Sequence, residues 1–190
     1  MTYETIQVSD DLRIRIEQDT DAESPGTWDN VGEIAYCSSR ETLGTENVSR
    51  DRLDEISRGI RDGSLIGLPV YAYVHSGATI RAGKPFTCQW DSGQSGFVYT
   101  TKAKAIREFG KKIATHAVIE RTLERLKGEV ETFDQWLTGD VYGYVVERRV
   151  MGGWDQVDSC WGFFGLDYCI EEAKSVAAHY ATEELVGDCV

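Results

Sequence analysis

The sequence predicts an α+β fold built mainly of antiparallel sheet, and three observations point to it. Apolar residues alternate with polar ones in short runs, which is typical of half-buried strands. Helical patterns follow pairs of such runs. The dipeptide Trp-Asp begins at residues 28, 90 and 154, at nearly equal spacings of 62 and 64 residues. These patterns predict one compact chain, 1–190, made of three hairpin-plus-helix (ββα-like) units that cover 1–64, 65–139 and 140–190.

Each unit is predicted to place one strand before its Trp-Asp pair and another after it. The earlier strands cover 11–19 (DLRIRIEQD), 68–76 (LPVYAYVHS) and 140–149 (DVYGYVVERR), and the later ones cover 32–39, 95–101 and 156–164. β-Branched and aromatic residues are frequent in all six runs, as they are in strands. The segment 5–16 by itself predicts a hairpin that turns at Ser9 to Asp11.

Helices are predicted over 49–60, from 101 onward and over 167–180. Ser49 is the expected N-cap of the first helix and Asp167 that of the last. A further stripe with heptad-like spacing runs from Ile119 to Leu137, and its apolar side favours packing on the protein's own core, with a dimer contact as the alternative. Gly128 predicts an interruption of that helix, and Gly139 its end.

Charge is distributed unevenly along the chain. The formal net charge is −12, and the segments 1–60, 61–128 and 129–190 carry −8, +6 and −10. A global negative excess disfavours direct binding to free DNA. Two interpretations stay open: a basic helical stretch over 102–127 neutralises the acidic ends internally, or the acidic ends form a patterned surface for a positively charged partner, as a DNA mimic does.

The second interpretation predicts which side chains a partner contacts. The candidate partner-binding residues are carboxylates and one aromatic residue: Asp10, Asp11, Glu17, Asp19, Asp21, Glu23, Asp155, Asp158 and Trp161. Trp161 is included because the run around it holds too many rings for one face of a strand, so at least one ring points away from the main core.

An enzymatic alternative centres on His75, Asp91 and Ser92, which flank two predicted strands and could converge as base, orienting carboxylate and nucleophile. The same residues are also typical of a polar turn. Tyr71 and Tyr73, or Phe97 and Tyr99, could stack nucleobases from an open sheet face, but neither pair has neighbouring positive charge in the sequence, which favours core packing instead.

Metal and cofactor sites are not predicted. The five cysteines include no CxxC pair and the three histidines are scattered, so we expect reduced, mostly buried thiols. No apolar run approaches the roughly 20 residues of a membrane span, and the first residues lack the basic and apolar regions of a signal peptide, so a cytoplasmic protein without membrane contact is expected.

Several stretches resemble a family of uncharacterised proteins encoded by tailed phages and mobile elements. They are LPVYAYVHSG (68–77), 85–110, 129–147 and 157–165, and the resemblance is most specific in WDSGQ (90–94) and DQWLTGDVYG (134–143). Some members of that family carry a cysteine-rich turn where this chain has Arg149 to Trp154, so no metal is carried over. The resemblance implies an accessory protein of a class that includes inhibitors of host restriction and CRISPR systems.

The sequence therefore favours a phage-type anti-defence protein that acts by binding, as a monomer or homodimer, in the host cytoplasm. Its acidic surfaces would engage a host defence protein or nucleoprotein complex. The alternative is a small hydrolase or nucleotide-processing enzyme centred on His75, Asp91 and Ser92.

Overall fold

The computed structural model describes residues 2–88 and 90–187, with the backbone alone for 182–187. Nine strands and four helices follow one another in this part of the chain: β1 (Thr2–Gln7), β2 (Leu12–Gln18), β3 (Glu33–Tyr36), β4 (Glu46–Asn47), α1 (Arg50–Arg61), β5 (Leu65–Val74), β6 (Ala78–Ala82), β7 (Ser92–Thr101), α2 (Lys102–Glu108), α3 (His116–Thr138), β8 (Val141–Val150), β9 (Gly153–Phe164) and α4 (Leu166–Gly187). A short 3₁₀ turn at Pro25–Thr27 lies between β2 and β3.

The chain divides into two compact units, and the predicted α+β class is confirmed. Unit 1 combines Met1–Glu23 with Gly139–Val190, and unit 2 is Ser24–Thr138. Unit 1 contains a four-stranded antiparallel sheet in the order β1-β2-β8-β9. Unit 2 contains a five-stranded sheet in the order β4-β3-β7-β5-β6, antiparallel except for the short β3–β4 pair.

The core of unit 1 follows from the alternation in β2. Leu12, Ile14 and Ile16 point to one face of the sheet, where they are at most 1% exposed. They pack beneath α4, which contributes small residues, including Ala173 and Ala177, to the contact. Small side chains let the helix approach the sheet closely, so a single helix closes this core.

The core of unit 2 lies between its sheet and α3. The stripe predicted from Ile119 to Leu137 packs there, with Leu126, Val130 and Phe133 buried against the sheet. A smaller cluster on the opposite face of the sheet lies under α1. The prediction that the stripe packs on the protein's own core is therefore confirmed. The five-stranded sheet has α3 on one face and α1 on the other.

The helix boundaries confirm some predictions and correct others. Ser49 caps α1 by accepting from the Arg52 amide at 3.2 Å, and Gly139, with φ +74°, ends α3. α3 continues through Gly128 without a break, because its apolar stripe packs on both sides of that residue. The basic stretch 102–127 is not one helix, since Gly110 (φ +58°) separates α2 from α3. Asp167 lies inside the first turn of α4 rather than at its N-cap.

The three Trp-Asp pairs occupy three different environments, and the predicted hairpin-plus-helix units are confirmed only in part. The third unit forms as predicted, because β8 and β9 pair antiparallel and α4 follows them. In the second, β5 and β7 pair antiparallel but β6 lies between them in the sequence, and the first does not form. Trp28 lies in the connection between β2 and β3, which belong to different sheets. Trp90 lies between β6 and β7, which are not neighbours in their sheet, and Trp154 lies within β9. The predicted boundary at 64/65 falls inside unit 2, between α1 and β5. Burial of each apolar face, rather than chain order, decides the partners.

Among the helices of the described residues, none combines the length and the apolar character that a membrane crossing requires.

Candidate functional site

The division into units concentrates the charge of the molecule. Unit 1 holds 17 acidic and 5 basic residues, whereas unit 2 holds 15 of each. The whole net charge of −12 therefore belongs to unit 1. Both acidic ends of the chain belong to unit 1. The acidic residues of 24–60 belong to unit 2, together with the basic middle segment.

The turn between β1 and β2 carries the first two candidate residues. The amides of Val8 and Ser9 both donate to the Leu12 carbonyl, at 2.9 and 3.0 Å, and so close the predicted turn. Asp11 is half-buried and accepts a hydrogen bond from the Ser9 hydroxyl at 2.5 Å. Asp10 is exposed. Of this pair, Asp10 is the more accessible to a partner.

The segment after β2 carries three more candidates. The Asp21 amide donates to the Asp19 carboxylate at 3.1 Å, the geometry of an Asx turn. Asp19 is half-buried as a result, and Asp21 and Glu23 are exposed. This segment presents two carboxylates to solvent.

Glu17 belongs to a ladder of ion pairs. Its Oε1 lies 2.8 Å from Arg15 Nη1. The Arg15 Nε lies 3.2 Å from Glu147 Oε1, within ion-pair distance but outside hydrogen-bond geometry, and Arg13 Nε donates to Glu147 Oε2 at 2.6 Å. The four side chains alternate in charge on the sheet face that α4 leaves uncovered. Most of the Glu17 charge is thus matched within the fold.

The acidic candidates on β9 differ in exposure. Asp155 is exposed and lies opposite Arg148 in the β8–β9 register. Asp158 is half-buried, and its Oδ2 accepts a hydrogen bond from the Tyr180 hydroxyl at 3.3 Å. The pKa of Tyr144 is raised, first by its burial and then by the nearby Asp158 charge. Asp158 is therefore held by its surroundings, while Asp155 is available.

Trp161 lies flat over the backbone of β8 and remains 46% exposed. A Cβ atom built on Gly143 would come within 2.3 Å of the Trp161 ring, so only glycine permits this approach. The prediction that one ring of this run leaves the α4 core agrees with this position. The sequence signal was Gly143, the single glycine between Tyr142 and Tyr144, which the sequence analysis treated only as part of a strand.

The candidate acids form two groups at opposite ends of the unit 1 sheet. Asp10, Asp11 and Asp155 lie at the end where β2 begins, and Asp19, Asp21 and Glu23 follow the end where β2 stops. The seven residues of β2 place these ends about 20 Å apart at ~3.4 Å per residue. The acids therefore do not form one continuous row.

The structure brings together two of the three residues of the enzymatic alternative. His75 Nδ1 lies 3.9 Å from Asp91 Oδ2, and both side chains are largely exposed. The Asp91 carbonyl accepts the Val74 amide at 2.9 Å, which ties the two strand ends together. The Ser92 hydroxyl donates to the Cys88 carbonyl, so its proton is directed at the main chain rather than at His75.

Sequence reasoning missed Glu147, which is only 7% exposed. It is the one charged residue within the apolar run VYGYVVE (141–147). A lone carboxylate in such a run indicates a buried ion pair. Its partner Arg13, however, lies 134 residues away in the sequence. The pairing itself was visible only in the fold.

Four of the five cysteines lie among the described residues. Cys37 and Cys160 are exposed, Cys88 is half-buried and Cys169 is buried, all as free thiols, so fewer are buried than expected; Cys189 lies outside the described residues. Burial raises the pKa of Cys169 to about 11. Within residues 2–88 and 90–181, whose side chains are described, no three His, Cys, Asp or Glu side chains gather as a metal site.

Comparison with known proteins gives no match to a family model, to a curated protein or to a solved structure.

Proposed function

We propose that the protein is a phage-type accessory protein that counters a host defence system by binding. Unit 1 engages basic surface on a nucleic-acid-handling complex of the CRISPR or restriction class, in the host cytoplasm. The observation that carries the proposal is the charge segregation: unit 1 holds the full −12 while unit 2 is neutral. The resemblance of 90–94 and 134–143 to the phage family supports the same biological setting.

Segregated charge suits recognition of a basic partner. A surface of one sign steers the encounter with a partner of opposite sign and raises the association rate. The two acidic groups of unit 1 are about 20 Å apart along β2. That separation exceeds the screening length of about 8 Å at physiological ionic strength, so each group acts as a separate contact.

The hydrolase alternative has weaker support. His75 and Asp91 are close enough to interact, but the Ser92 hydroxyl is donated to the Cys88 carbonyl. A nucleophile needs a base within about 3 Å of its proton. Binding therefore remains the better proposal.

The test measures affinity for purified CRISPR effector and restriction complexes by biolayer interferometry. The variant replaces three exposed unit 1 acids, Asp10→Lys, Asp21→Lys and Asp155→Lys. Its matched control reverses three exposed unit 2 acids, Glu41→Lys, Asp54→Lys and Glu108→Lys.

The unit 1 variant should lose affinity at least tenfold for the complex that the natural chain binds, mainly through a slower association rate. The control should stay within twofold, and added salt should weaken the natural chain. Equal loss in both variants, or binding that does not respond to salt, would reject unit 1 as the binding surface.

A further inference from the structure

Half of one face of the unit 2 sheet is not covered by a helix. α3 packs on the face that holds Val70, Ala72 and Ile80. On the opposite face, α1 packs against the end near Leu65 and Tyr99. Toward the β5–β6 turn the loop after β6 lies beside this face, where Phe86 is close to Tyr73. This leaves a sheet surface open to a ligand.

Aromatic rings line this open half. Tyr71 and Tyr73 are alternate residues of β5, so they share the face, at a separation of about 7 Å. The Tyr73 ring centroid lies 6.0 Å from that of Phe86 and 6.5 Å from that of His75. Both tyrosines are half-buried rather than enclosed. Tyr71, Tyr73, His75 and Phe86 together form the aromatic surface.

Cations stand beside these rings. Arg81 is the register partner of Tyr71, and its guanidinium lies 4.0 Å from the centre of the Phe86 ring. Lys84 follows in the same loop and is exposed. Residues 71–94 contain a single carboxylate, Asp91, which pairs with His75. This segment therefore combines planar stacking groups with two cations against one carboxylate, and Glu131 and Asp134 of α3 line a pocket together with Arg81.

Polar side chains complete the surface. Gln94 is the register partner of Tyr71, and Ser92 that of Tyr73. The Gln94 amide now donates to the Gly96 carbonyl at 3.3 Å, a long bond that a better acceptor can replace. A side-chain amide of this kind can donate to and accept from a base edge.

We propose that the aromatic surface binds single-stranded nucleic acid. Bases stack on Tyr71 and Tyr73, and the phosphates lie near Arg81 and Lys84. Single strands suit this surface because their bases can splay out one per ring, whereas a duplex hides its base faces. The charge argument against free DNA concerned the whole chain, but unit 2 by itself is neutral. This inference is independent of the function proposed for unit 1.

The experiment measures fluorescence anisotropy of fluorescein-labelled 12-nucleotide single strands, oligo(dT) and oligo(U), with the full-length protein. A duplex of equal length and a free mononucleotide are the comparison ligands. Tyr73→Leu should weaken single-strand binding about tenfold, as loss of one stacked base does, while Tyr73→Phe should stay near the natural affinity.

Charge-reversal variants of two exposed lysines give a second measurement that does not disturb packing. Lys84→Glu should weaken binding, and Lys112→Glu, an exposed lysine on the loop between α2 and α3, should not. Two phosphate contacts predict a slope of about −1.4 for log affinity against log salt, and Lys84→Glu should reduce it by about half.

Four results would overturn the proposal: no single-strand binding, equal binding of the duplex, an unchanged affinity of Tyr73→Leu, or equal effects of the two lysine variants. None of them bears on the binding role of unit 1, because every substitution lies in unit 2.

Discussion

Glu147 is a buried carboxylate on β8 that pairs with two arginines of the neighbouring strand β2. It is 7% exposed and lies within 3.2 Å of both Arg13 and Arg15. The Arg13 guanidinium also stacks over the Trp154 ring, 4.2 Å from its centre. A buried carboxylate is tolerated only with such partners, because burying an unpaired charge is costly. Removing the carboxylate takes the ion-pair partner from Arg13 and one of two partners from Arg15.

The substitution Glu147→Ala should lower the free energy of unfolding by about 2–4 kcal/mol, since it removes the carboxylate that pairs with Arg13 and leaves Arg15 with Glu17 alone. Glu17→Ala, at the more exposed end of the ladder, should cost less than about 1 kcal/mol. Urea unfolding followed by circular dichroism measures both values. Equal losses in the two variants would mean that the ladder is not organised around Glu147.

α3 organises unit 2 through carboxylates as well as through its apolar stripe. Glu129 accepts hydrogen bonds from the Val31 and Gly32 amides, both at 2.8 Å. Asp134 accepts from the Ile80 amide at 2.7 Å and from the Thr79 hydroxyl at 2.8 Å. The Asp134 contacts lie on β6, which is an edge strand of its sheet. The backbone amides of an edge strand can pair with another chain unless they are covered. The helix therefore closes both the core and the edge.

Gly128 offers a direct test of the continuity of α3. A Cβ atom there would meet nothing within 4 Å, so Gly128→Ala should stabilise the helix by about 1 kcal/mol. Differential scanning calorimetry should record a rise in Tm of about 2–4 °C. The matched control Gly110→Ala should instead lower Tm, because its φ of +58° favours glycine.

A fall in Tm for Gly128→Ala would show that the helix needs glycine at this position. It would then support the interruption that the sequence predicted there.

The whole molecule divides its charge so that one unit is strongly acidic and the other neutral. Like charges within unit 1 repel one another and oppose its compact state. In unit 2 equal numbers of acidic and basic residues reduce the same effect. The two units should therefore respond differently to ionic strength.

Raising sodium chloride from about 20 to 500 mM should slow hydrogen exchange in β8 more than in β7, because salt screens repulsion between exposed charges. Exchange measured by mass spectrometry separates the two units. Sucrose is the control, since it stabilises compact states without screening charge and should slow exchange in both. An equal response of β8 and β7 to salt would contradict the charge segregation as a determinant of stability.

Local elements were predictable because their signals lie within a few residues. The hairpin at Ser9 to Asp11, the Ser49 cap and the stripe over 119–137 all agree with the structure. The interruption at Gly128 did not occur, because apolar packing on both sides outweighs a glycine cost of about 1 kcal/mol. Propensity is a weak term where tertiary contacts are available.

The candidate site was predictable only as a list of residue types. Sequence analysis identified acids at both ends of the chain, but pairing of Glu17 with Arg15 and the separation into two groups depend on strand register. The sequence analysis found no positive charge beside Tyr71, because Arg81 becomes its neighbour only through the pairing of β5 with the adjacent strand β6.

The sequence by itself determined the class of fold, most helices and strands, and the total charge, because alternation, capping and composition are local or additive properties. Only the tertiary structure decided that the two ends of the chain share one sheet, which places the whole negative excess in unit 1. The physical reason is that strands pair by burial of complementary faces, and that choice depends on residues far apart in the chain.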